Sequence, residues 1–162
     1  MSKNATAILA IILGHLVTDL QSGALPIALP FLKETFSLNY TQMAFIVLVQ
    51  QVMTSVIQPF FGYITDKKSL PHFLSWTAAL GGAGIAFVGY STSYYTLLAS
   101  VIFISLASAT YHPQASKTCN LLSDSSNKAR NMGLFSVGGN GGMAIGSFMM
   151  TYLAVQEGGL RI

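Results

Sequence analysis

Apolar stretches long enough to cross a lipid bilayer recur along the whole chain, each broken by a short polar segment. A crossing helix takes about 20 apolar residues, so the pattern predicts five spans. They fall at about 5–32, 42–65, 73–90, 95–113 and 131–155. The polar breaks are Lys33–Thr41, Asp66–His72, Ser91–Tyr94 and, longest, Lys117–Arg130. The first stretch exceeds one crossing and carries Pro26 and Pro30, which predicts tilt or a bend near Pro26. Met-Ser-Lys-Asn before an apolar run also fits a signal peptide. Against that, His15 and Asp19 interrupt the run, which continues to Leu32 with no small-x-small cleavage site. The expectation is an all-α membrane protein, a single transmembrane domain over residues 1–162.

Composition narrows the class. Of 162 residues, 52% are hydrophobic and only 8% charged, with a mean hydropathy of +0.56. A soluble domain is about 25% charged, so a soluble enzyme, a nucleic-acid binder and a disordered tail are all disfavoured. The net charge of +3 is too small and scattered for a phosphate-binding patch. The single cysteine, Cys119, excludes an intramolecular disulfide and a Cys-rich zinc site, and its place in the last polar break suggests an inert thiol. No metal or cofactor is expected.

Charge placement sets the orientation. With the N-terminus inside, Lys3, Lys67, Lys68, Lys117, Lys128 and Arg130 lie on the inner side, and only Lys33 and Arg161 outside. Tyr90, Tyr94 and Tyr95 then cluster at an outer membrane interface, where amphipathic rings prefer to sit. The Asn39-Tyr-Thr41 sequon is too near the membrane to be read as a glycosylation site.

Polar residues inside spans are costly, and are therefore candidate functional groups. Asp19 lies roughly 21 Å along its helix from Ala5, with His15 one turn earlier on the same face. This pair is a proton-carrying candidate; the structural alternative is a neutral Asp bonded to a neighbouring helix. Gln50, Thr54 and Gln58 form a polar face on the second span, with Gln51 and Ser55 beside them. That face either lines a path or ties helices together. Pro59 removes one backbone bond, which Thr54 or Ser55 is placed to re-satisfy. Ser105, Ser108 and His112 form a third stripe, with His112 next to Pro113 near an inner helix end, where a solvated anchor is the plainer alternative. Gly138, Gly142 and Gly146 repeat every four residues, with Gly139 and Gly141 adjacent, and predict close helix packing. Gly81, Gly82, Gly84 and Gly89 form a looser set. The chain has no GxSxG elbow, P-loop or HExxH, and a hydrolase would require Ser136 or Ser147 to meet a histidine.

Gly62-Tyr-Ile-Thr-Asp66-Lys67 enters the second break and resembles the loop motif of the major facilitator superfamily: Gly, three residues, Asp, then a basic residue. Gly14-His15, Asp19, Gly23-Ala-Leu-Pro26, Leu29-Pro30, Gln58-Pro59-Phe-Phe-Gly62 and Tyr111-His112-Pro113 together resemble its fosmidomycin-resistance branch. The resemblance implies a twelve-helix secondary transporter of two halves in the cell (inner or plasma) membrane, exporting small toxic compounds as protons enter. It also implies an inverted repeat within each half, helices one and four facing the cavity.

The chain departs from the family pattern in having Ser69 and Leu70 where Gly and a second basic residue are usual. It has no Arg in the fourth span, and Gly146-Ser147 in place of Gly-Pro. These departures leave Asp19, His15 and His112 as the proton-coupling candidates, with Gln50, Thr54, Gln58, Ser105 and Ser108 along the substrate path. The expected partners are membrane lipid, a small-molecule substrate and protons, and no nucleic acid. The sixth helix and second half are expected to be missing, with the remaining helices on a separate chain as one possibility. The resemblance gives Asp66 its partner in that other half, so here Asp66 is expected to be unpaired at an unfavourable helix C-terminus. The open alternative is a non-transporting truncated membrane protein or a helical partner of another chain.

Overall fold

A computed structural model describes residues 3–67 and 72–156; Lys68, Ser69, Leu70 and Arg161 lie outside the described residues. The described residues form five helices: α1 (Lys3–Thr35), α2 (Tyr40–Lys67), α3 (Phe73–Gly89), α4 (Tyr94–Leu122) and α5 (Lys128–Gln156). The chain is an all-helical membrane protein. By length and composition α1, α2 and α4 can cross a membrane, whereas α3 has 17 residues. Six glycines, Asn140 and several hydroxyl residues dilute the apolar content of α5.

Side-chain caps define the turns. Between α1 and α2, Ser37 adopts a left-handed backbone (φ 51°), and Leu38 N–H reaches back to the Lys33 carbonyl. Asn39 Oδ1 accepts from Gln42 N–H, and Gln42 Oε1 from Asn39 N–H, both at 2.9 Å, a reciprocal cap. The asparagine of the sequon thus serves as a helix cap. Ser93 and Thr96 cap α4 in the same manner.

Two sequence expectations are corrected in α4. The helix runs to Leu122 rather than ending near Pro113, and the last connection shrinks to 123–127. Thr118 Oγ1 donates to the Gln114 carbonyl, and Ser123 Oγ to that of Cys119, so hydroxyls that read as loop formers bond back onto the helix. His112 therefore lies about 15 Å from the helix end, not near it. Cys119 is buried within α4 and faces the Asn131 carbonyl, outside any connection.

The glycines of α5 seat α1. A methyl group on Gly138, Gly142 or Gly146 would collide with the backbone at Ile12, Leu16 or Leu20, one helical turn apart each time. In return, Gly23 of α1 lies against the Met143 backbone, and Ser147 Oγ donates to the Gly23 carbonyl at 3.0 Å. In α3, Gly84 packs closely on Ile104 of α4, whereas Gly82 and Gly89 face open space. The main helix pairs are α1–α5, α2–α4 and α3–α4. Exchanging α1 with α4 and α2 with α5 maps the first pair onto the second, as an inverted repeat requires.

At the C-terminal end of α2, Asp66 Oδ1 pairs with Lys117 Nζ of α4 at 3.0 Å. The expectation of an unpaired Asp66 is therefore wrong. Lys117 also donates to the Thr65 carbonyl at 2.8 Å, offsetting the negative end of α2. Lys67 instead bonds Tyr63 on its own helix. Gly62 leaves room for Pro113 at ordinary contact distance.

Candidate functional site

The site grows from one carboxylate held between two imidazoles. Asp19 and His15 are one turn apart on α1, and His15 Nε2 lies 3.1 Å from Asp19 Oδ2. Where α4 crosses α1, His112 Nε2 lies 3.0 Å from Asp19 Oδ1. Both carboxylate oxygens are thus engaged, one within the helix and one across the helix pair.

The far side of each ring is also fixed. His15 Nδ1 lies 2.7 Å from the Phe135 carbonyl of α5, and His112 Nδ1 lies 2.7 Å from the Ser108 carbonyl. A carbonyl oxygen only accepts, so both Nδ1 atoms carry hydrogen. The ligand atoms of the trio all lie within 4.8 Å of one another, a spacing a metal ion could use. The two Nε2–oxygen distances are those of ordinary hydrogen bonds, and shared protons account for them.

Small and aromatic neighbours shape the cluster. The Phe135 ring stacks on His15 with centroids 4.0 Å apart. A methyl on Gly139 would stand 2.5 Å from the His15 ring and 2.7 Å from Asp19 Oδ2. Gly14 makes room for the Tyr111 hydroxyl, which donates to the Ile11 carbonyl at 2.8 Å. Sequence reasoning saw Gly139 only as part of a packing ridge and gave Tyr111 and Phe135 no role. The one available signal for Gly139 was its displacement by a single position from the 138–142–146 series.

The cluster opens onto a pocket of about 370 Å³ between α1, α2 and α4. Gln50, Gln51, Thr54 and Gln58 of α2 form one wall, facing Asp19, Ser108 and His112. The polar face of α2 therefore lines a space. Thr54 donates to the Gln50 and Gln51 carbonyls, not to that of Ser55, which Pro59 leaves without its usual donor.

Ser105 does not belong to this path. It is 1% exposed, and its hydroxyl donates to the Val101 carbonyl at 2.7 Å, because the stripe turns into the α4 packing surface one turn before Ser108. Ser105→Ala is accordingly expected to leave the pocket and the His112–Asp19 contact intact, read as an unchanged His112 signal in nitrogen NMR. Ser136 and Ser147 donate to the Met132 and Gly23 carbonyls, so the hydrolase alternative lacks its serine–histidine contact.

Residues 11–162 match the model of the Major Facilitator Superfamily. The uncharacterized MFS-type transporter YfnC of Bacillus subtilis (strain 168) is 30% identical over 144 residues, 89% of this chain and 35% of that protein. The fosmidomycin resistance protein of Escherichia coli (strain K12) is 28% identical over 149 residues, 92% of this chain and 36% of that protein. The chain thus spans about a third of the length of these relatives. No solved structure matches.

Proposed function

This chain belongs to the Major Facilitator Superfamily, and on that premise we propose that it forms the N-terminal part of a proton-coupled exporter of a small toxic compound, with the Asp19 cluster as the coupling site. The carrying observation is the Asp19 carboxylate shared by histidines of two helices and opening onto a polar pocket. A buried carboxylate–imidazole pair can change protonation in the physiological range, since histidine titrates between about pH 5 and 8. The pocket wall of amides and hydroxyls offers hydrogen bonds in both directions to a small polar substrate. All five helices cross the cell's inner or plasma membrane, with the N-terminus inside. The kinship with the E. coli resistance protein makes a fosmidomycin-like antibiotic the first compound to test.

The sign of the pH dependence follows from the direction of exchange. Protons enter as drug leaves, so a more acidic exterior drives export. Cells expressing the protein should tolerate the drug better near external pH 6 than near pH 8, read as minimum inhibitory concentration against a vector control. Equal protection at both values would contradict proton coupling. The assay is made on the 162-residue chain and on a form extended to the length of its relatives. Protection by the extended form alone would place transport in the assembled pair of halves. Protection by neither would favour the alternative of a non-transporting membrane protein.

A further inference from the structure

We infer that the cluster holds two shared protons but exchanges only one, at the His112–Asp19 contact, and that His15 is a positioning residue that keeps its proton and aims Asp19. This rests on the coupling role proposed above and specifies how many protons that site handles. With both Nδ1 atoms donating to carbonyls, each ring presents only Nε2 to Asp19. A hydrogen bond at each Nε2–oxygen contact requires one proton between the two atoms, on either side. Two such protons on one carboxylate and two otherwise neutral rings leave the fully bonded cluster with a net charge of +1.

The two contacts differ in access. The His15 side chain is 8% exposed, covered by Phe135 and Gly139, and has no wall in the pocket. The His112 side chain is 24% exposed and lines the pocket beside Ser108. Pocket water can therefore take the proton at His112, leaving an electron pair on Nε2. That pair then faces the Asp19 Oδ1 lone pairs at a hydrogen-bond distance with nothing between them, and the contact opens. His112–Asp19 joins α4 to α1, whereas His15–Asp19 lies within α1. Proton loss thus removes one polar tie between α4 and α1, the Tyr111–Ile11 bond remaining, while Asp19 keeps its orientation, and the cluster charge falls from +1 to zero.

The other groups packed on the cluster do not alter this count. Tyr111 of α4 has its hydroxyl committed to the Ile11 carbonyl, α2 presents uncharged amides and Thr54, and α5 presents the Phe135 carbonyl and Gly139.

The test is nitrogen NMR of histidine-labelled full chain in lipid nanodiscs. There are three histidines; exposed His72 serves as the solvated reference, and single His→Gln variants assign the signals. From about pH 5 to 9, His112 should pass from a doubly protonated ring to a neutral ring with hydrogen on Nδ1, while His15 remains doubly protonated. Loss of the His15 proton first or together with that of His112, or a neutral His112 with hydrogen on Nε2, would overturn the inference. In His15→Gln the amide still donates to Asp19, so the His112 transition should persist. In His15→Leu that donor is gone, and His112 should lose its fixed Nδ1 tautomer. A Leu variant matching wild type would overturn the positioning role. The spectra report ring protonation whether or not the protein transports. Absent coupling with this pattern intact would contradict the functional proposal alone.

Discussion

Asp19→Asn should abolish the pH-dependent part of drug export while leaving the protein folded in the membrane. The amide matches the carboxylate in shape and can still donate to one Nε2 atom, so only one of two hydrogen bonds is put at risk. That loss is worth about 1–3 kcal/mol. The charge change matters more. A protonated His112 or His15 in this buried setting depends on the Asp19 carboxylate as counter-ion, and removing one partner of a buried pair costs about 3–5 kcal/mol. Without the carboxylate, neither ring retains its extra proton at working pH, and the site has nothing to exchange. Minimum inhibitory concentration across external pH, with membrane protein quantified in parallel, checks this. Unchanged export with an intact pH dependence would remove Asp19 from the mechanism.

The largest effect on stability is expected from the glycine ridge. Gly142→Ala and Gly146→Ala each direct a methyl group into the backbone of α1, at Leu16 and Leu20. Backbone cannot change rotamer to yield, so the helices must separate. Overpacking of this kind costs about 1–3 kcal/mol per site, and the double variant should fail to accumulate or should melt well below wild type in detergent. Gly141 directly precedes the first of these positions, yet a methyl there meets nothing within 4 Å. Gly141→Ala should therefore be neutral, or stabilising by up to about 1 kcal/mol through helix propensity. Thermal unfolding of the three variants side by side gives the comparison. Equal melting of Gly141→Ala and the ridge variants would show that α1 does not lie in this groove.

These contrasts mark how far the sequence could be read. The five helices were legible because apolar length is a strong signal, and His15 and Asp19 could be paired because a spacing of four fixes a helix face. The ridge at Gly138, Gly142 and Gly146 was legible for the same reason. What spacing cannot supply is the partner across a helix boundary. The approach of His112 to Asp19 depends on where α4 crosses α1, and the deep placement of His112 depended on α4 continuing past Pro113. The Lys117 partner of Asp66 was hidden by the same early end assigned to α4. Ser105 and Ser108 look alike in sequence, yet a turn of helix sends one into packing and the other to the pocket. Gly139 is distinguished from its neighbours only by the imidazole and carboxylate that occupy the space it leaves.

Substrate-driven proton movement in proteoliposomes tests the central claim most directly. The extended protein is reconstituted with a pH-sensitive dye inside the vesicles, and fosmidomycin is applied to wild type and to Asp19→Asn. The account predicts a drug-dependent pH change in wild type that is absent from Asp19→Asn vesicles carrying equal amounts of protein. A pH change of equal size in both would contradict it.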